Sequence, residues 1–328
     1  MNPGGQTSPA PKTTSAPSTW HVIAALAAVY SVWGSTYLAI HFAVETLPPF
    51  LMAGVRFVIA GGILFAWMRM RGTPAPTRTQ WRATAIVGAR LLMGGNGILA
   101  WAEQTVPSGL AALMIATVPV WMVLLDWLRG DGGRPTAGVT LGLALGLAGI
   151  ALLVGPGILA GDNRINTVGL IALVFASLSW AIGSFYARRA PLPAASLMAT
   201  GMEMLAGGGV LLIAGVLTGE LTELRLDHVS AQSLVAFGYL IVFGSWVGFT
   251  AYTWLLRATP PALSSTYAYV NPVVAVFLGW ALGGEALTSR TVLAAAIIVA
   301  AVLIITVQQS NKRFPKPADS VPGIVQAD

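Results

Sequence analysis

From Trp20 to Gln308 the chain alternates long apolar runs with short polar breaks. Ten runs can be marked, at 21–44, 50–68, 83–102, 108–128, 137–157, 167–187, 194–217, 232–255, 261–282 and 290–308. Each approaches the ~20 residues of helix that cross a hydrocarbon core of ~30 Å. None shows the short period-two alternation of a membrane β-barrel strand. The breaks carry Pro48-Pro49, Pro107, Pro191 with Pro193, and Pro260-Pro261, where proline cannot continue a helix. The pattern predicts an all-α, polytopic membrane protein of ten transmembrane helices, spans 1 to 10.

The second five spans repeat the first. Shifting residues 33–62 forward by 147 lays Trp33 on Trp180, Gly54 on Gly201, Gly61 on Gly208 and Gly62 on Gly209. Shifting residues 101–130 forward by 153 lays Trp101 on Trp254, Pro107 on Pro260, Pro119 on Pro272, Trp127 on Trp280 and Gly130 on Gly283. Coincidences of Leu or Ala mean little in such a chain, but Trp and Pro are scarce. The organisation expected is a disordered cytoplasmic tail at 1–19, five-helix repeats at 20–160 and 161–308, and a second disordered cytoplasmic tail at 309–328. Five is odd, so the second repeat enters the membrane upside down. Internal duplication of this inverted kind points to a transporter.

Composition supports that class. Hydrophobic residues make up 55% of the chain and charged residues 9%, against roughly 25% charged in soluble domains. There is no cysteine, which excludes thiol nucleophiles, disulfides and Cys-based metal sites. Residues 1–19, rich in Pro, Ser, Thr and Gly, cannot bury enough surface to fold, and the apolar run after them is too long for a cleaved signal peptide.

The net charge of +6 reads as topology. Its basic residues form no stripe, so no nucleic-acid partner is expected. With the N-terminus in the cytoplasm, Lys12, Arg69, Arg71, Arg78, Arg82, Arg129, Arg134, Arg188, Arg189, Arg257, Lys312, Arg313 and Lys316 fall inside and only Arg164, Arg225 and Arg290 outside. This positive-inside bias puts both termini in the cytoplasm of a bacterial inner membrane. Trp20, Trp67, Trp81, Trp127 and Trp280 sit near span ends, as an interfacial aromatic belt requires.

Two five-helix units, Trp33-Gly34-Ser35 on span 1, an arginine on span 2 and the run Ala-Glu-Gln-Thr-Val-Pro-Ser-Gly-Leu-Ala-Ala-Leu at 102–113 resemble the EamA family of the drug/metabolite transporter superfamily. The resemblance covers about residues 20–308 and is nearest to YddG-type amino-acid exporters. It implies export of amino acids, related metabolites or drugs across the inner membrane. The second repeat departs from the full signature, with Ala181-Ile182 in place of Gly-Ser after Trp180.

Candidate site residues follow from polar and aromatic groups at membrane depth. Arg56 and Glu203 occupy equivalent places on spans 2 and 7, each ~13 Å deep at 1.5 Å per residue, so they can meet near the midplane. Charges there cost at least ~2.5 kcal/mol each. They form either a structural ion pair or a zwitterion site, in which Arg56 attracts a carboxylate and Glu203 attracts an amine or takes up a proton. Pro119 and Pro272 predict kinks in spans 4 and 9, either plain packing kinks or linings of the substrate path, with Tyr267, Tyr269 and Asn271 supplying hydrogen bonds. Trp33, Tyr37 and His41 share a face of span 1, and Trp180 and Ser184 repeat that spacing on span 6. Such stripes are core packing or an aromatic lining for apolar and cationic groups. His41 is either hydrogen-bonded at a cavity rim or a proton sensor. Arg90 snorkels to water or, with Asn96 in Gly94-Gly95-Asn96-Gly97, meets the ligand. Trp101 and Tyr252 are candidate gates.

Gly138, Gly142 and Gly146 on span 5 and Ala294–Ala296 with Ala300-Ala301 on span 10 mark close-packing faces, read as scaffold or a homodimer surface of an otherwise monomeric protein. There is no Walker loop, no H-E-x-x-H and no Asp-rich cluster, so no cofactor, no metal and no enzymatic activity are expected. The function expected is export of amino acids with large apolar or aromatic side chains by alternating access. Cationic drug efflux is the competing reading, and a channel a more distant one.

Overall fold

The computed structural model describes residues 19–129, 136–160, 166–259 and 266–313. They form α1 (Thr19–Val44), α2 (Pro49–Met70), α3 (Arg78–Ala102), α4 (Ser108–Leu128), α5 (Ala137–Ala160), α6 (Thr167–Ala187), α7 (Ser196–Leu217), α8 (Ala231–Tyr239 continuing through Leu240–Val247 to Gly248–Ala258), α9 (Tyr267–Leu282) and α10 (Ser289–Arg313). Eight are long and apolar enough to cross a membrane, and Ala137–Leu152 and Tyr267–Leu282 are shorter apolar helices. The edges lie close to the sequence expectation. One boundary is corrected: α10 continues to Arg313, so residues 309–313 are helical rather than part of a tail. A polar helical extension past a bilayer edge costs little, because water satisfies its carbonyls. The remaining tail residues, the Pro260-Pro261 turn and the start of span 9 lie outside the described residues.

Starts are set by local chemistry. Thr77 and Gln80 form a reciprocal capping box on α3, Asn166 caps α6 through Gly169 N, and Ser230 caps α8 through Ser233 N. The face that carries the first residues of α1 is called the near face, and the opposite one the far face.

At the centre α2 lies antiparallel against α7 with only glycine between the backbones. A methyl group on Gly61 would stand 2.7 Å from the Gly201 carbonyl oxygen, and one on Gly208 would stand 3.0 Å from that of Gly54. The 147-residue shift exchanges these two contacts: it carries Gly61 to Gly208 and Gly54 to Gly201. The crossing is therefore a twofold one, and the duplicated sequence folds as an inverted repeat. Large apolar side chains such as Ile63, Phe175, Ile213 and Phe277 are exposed around the outside, as are the five belt tryptophans. That surface suits lipid as its solvent.

The small-residue faces of α5 and α10 pack on each other within the chain, with Gly142 against Ala301 and Ile305 and Gly149 against Ile298. Gly142 is thus already covered, and Gly146 is covered by Val120 of α4. These glycines thus serve contacts within the chain.

Candidate functional site

Both α3 and α8 widen at membrane depth into a π-helical stretch, Ala89–Gly97 and Leu240–Val247. Such stretches inside α-helices recur at functional sites, because the wider turn redirects side chains and leaves backbone groups for other partners. Each takes a tryptophan from the opposite repeat. Trp180 packs against Gly95, where a methyl group would stand 2.6 Å from its ring, and Trp33 occupies the equivalent place against Gly248. The 147- and 153-residue shifts interconvert these two seats.

The seats differ in what surrounds them. Trp33 meets Phe249, Tyr252 and Tyr267 at ring-centroid distances of 5.3, 5.0 and 5.3 Å, and the two tyrosines are 5.3 Å apart. Its Nε1 donates to the Gly244 carbonyl at 3.3 Å, a backbone acceptor of the π-helical stretch. Arg56 is buried against the same glycine: its Nε donates to Ser245 Oγ at 3.2 Å, and a methyl group on Gly244 would stand 3.0 Å from its guanidinium. No acidic side chain pairs with it among the described residues, so most of a guanidinium's five donors remain for a ligand. One turn above Tyr267, on the same face of α9, Asn271 Oδ1 is buried with no partner.

Around Trp180 the shifted positions are Asn96, Leu99 and Met114 in place of Phe249, Tyr252 and Tyr267. The backbone carbonyl of Glu203, the counterpart of Arg56, lies against Gly88 of α3. The expected meeting of Arg56 and Glu203 does not occur, and they form no ion pair. The reason is the register of the crossing. Gly61 opposes Gly201 and Met204, so Glu203 lies level with Gly61–Gly62, roughly 9 Å along the helix from Arg56 at 1.5 Å per residue. The Arg56 guanidinium is held on Ser245 instead.

The other candidates are dispersed. His41 Nδ1 lies 3.0 Å from the Glu103 carbonyl oxygen near the far face, and the Tyr37 hydroxyl is within electrostatic reach of the Glu103 carboxylate. The Arg90 residue is exposed, and its carbonyl accepts from Ser179 Oγ at 2.9 Å. Ser184 is half-buried on α6, and Trp101 is exposed at the end of α3, away from the aromatic cluster. Helix α4 is interrupted at Ala116–Thr117, with Pro119 in the first turn of its second piece, and Thr117 Oγ1 covers the Met114 carbonyl at 2.6 Å. Pro272 sits inside an unbroken α9. A groove of about 490 Å³ opens between α1 and α8, lined by His21, Ala25, Trp246, Thr250 and Trp254 among others. None of the sequence candidates lines it.

Several groups had no assigned role in the sequence. Ser245 and Phe249 complete the Trp33 seat, and extending the 153-residue alignment back to Gly95 and Gly248 is the signal that finds their neighbourhood. At the far face Glu285 accepts from Ser108 N and Oγ, both at 2.6 Å, and from Gly109 N at 3.0 Å, capping α4. Glu220 accepts from Phe50 N at 3.1 Å and Leu51 N at 2.8 Å, capping α2, and burial holds its pKa above the usual carboxylate range. Glu103 belongs to the quoted 102–113 run, where sequence reasoning assigns it no role of its own. Asp126, near the end of α4, pairs with Arg188 at 3.9 Å in a half-exposed contact.

Comparison with known proteins fits this frame. The chain is 46% identical over 284 residues to the inner membrane transporter YedA of Escherichia coli K12, covering 86% of this chain and 89% of that one. It is 27% identical to the protein PecM of Dickeya dadantii, covering 84% and 88%. A solved crystal structure superposes with a TM-score of 0.58 at 20% identity, covering 89% of this chain and 99% of that one, which shows a shared fold. Residues 19–155 and 167–307 each match the EamA-like transporter family. The chain therefore belongs to the EamA-like transporter family, a family of multi-pass membrane transporters, with one copy of its domain in each inverted repeat.

Proposed function

We propose that the protein exports amino acids with aromatic or large apolar side chains across the bacterial inner membrane by alternating access, with both termini in the cytoplasm. The observation that carries this reading is the Trp33 seat. A buried guanidinium without an acidic partner, an aromatic cluster and an orphaned amide acceptor converge on α8 and α9. Arg56 binds the substrate carboxylate, Asn271 Oδ1 takes its ammonium group, and the ring or aliphatic side chain inserts among Trp33, Phe249, Tyr252 and Tyr267. The twofold crossing of α2 and α7 supports rocking of the two halves about the midplane. The basic residues of the near-face segments support the cytoplasmic assignment.

The test is uptake of a labelled amino-acid panel into liposomes of purified protein. Phenylalanine, tyrosine, tryptophan or leucine should enter at the highest rates, and loss of Arg56 should abolish them. Transport of no amino acid would overturn the substrate assignment. Cationic drug efflux, the second reading, is favoured by the unpaired carboxylate of Glu203. It predicts that Glu203→Gln harms flux more than Arg56→Gln.

A further inference from the structure

The turn from α3 to α4 is wound tightly, with Glu103 N on the Leu99 carbonyl at 2.9 Å and Val106 N on that of Ala102 at 2.9 Å. The winding turns Glu103 into the protein, one residue past the end of α3. It is 0% exposed, and neither carboxylate oxygen has a hydrogen-bond partner. Its titratable neighbours are few. From α1 come Tyr37 and His41, the latter bound to the Glu103 backbone. From the segment between α9 and α10 comes Glu285, whose own oxygens are committed to the start of α4. The first turns of α6, which pack on this end of α3, carry no ionisable side chain, and α2 has none before Arg56. Among the described residues no cation pairs with Glu103.

A carboxylate in that place would lack both water and donors, and would feel the charge of Glu285. Burial first, and Glu285 second, raise its pKa well above the ordinary value of 4.5. The surroundings are the contacts that join the two halves at the far face. Glu285 caps α4, Glu220 caps α2, Ser230 N donates to Thr46 Oγ1 at 3.2 Å and Ser233 Oγ to the Phe42 carbonyl at 2.7 Å. Every one of these bonds runs between the first repeat and the second.

We propose that Glu103 is a proton-binding site that gates the far face: the two halves close there with the proton on the Glu103 carboxyl, and part when it leaves to solvent. The inference rests on the alternating-access reading above for the existence of an open state, but not on any substrate. In the closed state the carboxyl is neutral, whereas in an open state water restores its ordinary affinity for a proton. Closure is therefore favoured in acid and loses up to about tenfold per pH unit as pH rises from the ordinary carboxylate value toward the closed-state value. Acid on the far side holds the gate shut, and a neutral medium releases it. Glu220 shares the upward direction, so pH alone does not isolate Glu103; its variants do.

The natural absence of cysteine makes the test direct. Val106, 1% exposed in the closed turn, reports opening when replaced in Val106→Cys. Exposed Gln104, replaced in Gln104→Cys, gives the intrinsic labelling rate at each pH. The ratio of the two rates with a membrane-impermeant maleimide should climb by about tenfold or more from pH ~5.5 to ~7.5. Added to this background, Glu103→Gln, a permanent mimic of the neutral acid, should hold the ratio low and remove the part of the rise that Glu103 contributes, leaving only the smaller share of Glu220. A flat ratio in the parent chain, or an unchanged rise in Glu103→Gln, would overturn the proposal. Should Glu103→Gln fail to fold, Glu103→Asp serves, since its shorter reach must move the midpoint of the curve and an unmoved curve overturns the assignment. Failure of amino-acid transport leaves all these readings intact, because no substrate is present.

Discussion

Trp33 and Trp180 stand in equivalent seats, each against a glycine in or just past a π-helical stretch of the opposite repeat, yet one is ringed by aromatic side chains beside an arginine and the other is not. The shared backbone shows what the duplication preserves: glycine at the close approaches, a tryptophan on the facing helix and a twofold crossing of α2 and α7. The side chains show where it has diverged. Phe249, Tyr252 and Tyr267 correspond to Asn96, Leu99 and Met114, and Arg56 corresponds to Glu203. Under the proposed alternating access, a symmetric scaffold would let two halves rock alike, and an asymmetric lining would give a zwitterion a preferred orientation within it.

The charges should split the seats most widely. Arg56→Gln removes charge-assisted hydrogen bonds worth about 1.5–3 kcal/mol, so its apparent affinity for an aromatic amino acid should fall by about tenfold to about a hundredfold. Glu203→Gln should change the same affinity by less than about threefold. Equal losses would erase the distinction. Binding to detergent-solubilised protein by scintillation proximity provides the comparison.

Glycine to alanine at the two seats comes next. Gly248→Ala and Gly95→Ala both overpack a tryptophan and should cost about 1–3 kcal/mol of stability each, read as a lowered melting temperature. Only Gly248→Ala should also lower transport, because Trp33 cannot yield without disturbing the aromatic cluster. Trp33→Leu should weaken binding of aromatic substrates by roughly threefold to tenfold, from ring contacts of about 0.5–1.5 kcal/mol, and Trp180→Leu should leave it nearly unchanged. The smallest effect belongs to Asn271→Leu. Removing a buried acceptor without a partner should raise the melting temperature slightly while weakening amino-acid binding by a few fold. A fall in both would show that Asn271 serves packing alone.

The spans were legible in the sequence because bilayer thickness fixes their length and proline fixes their breaks, and the inverted repeat because Trp and Pro recur at constant shifts. The π-helical stretches were not, since nothing in hydrophobic periodicity separates a widened turn from an ordinary one; only the paired Gly95 and Gly248 hint at them. Helix rise set Arg56 and Glu203 near one level, but it carries no information on the register of α2 against α7, and that register sets them roughly 9 Å apart along the bundle. Glu103 drew no role because a Glu between two spans reads as a solvent-facing loop residue. Its burial depends on the folding-back of the segment that carries Glu285, more than 170 residues away.

The central claim, that the Arg56 half of the molecule reads the carboxylate, is tested most directly by competition. A labelled aromatic amino acid is displaced by its unlabelled form, by the acid lacking the amino group and by the amine lacking the carboxylate, in the native protein and in Arg56→Gln. The native protein should prefer the acid to the amine by about tenfold or more, and Arg56→Gln should lose that preference. Retention of the same order in Arg56→Gln would contradict the account.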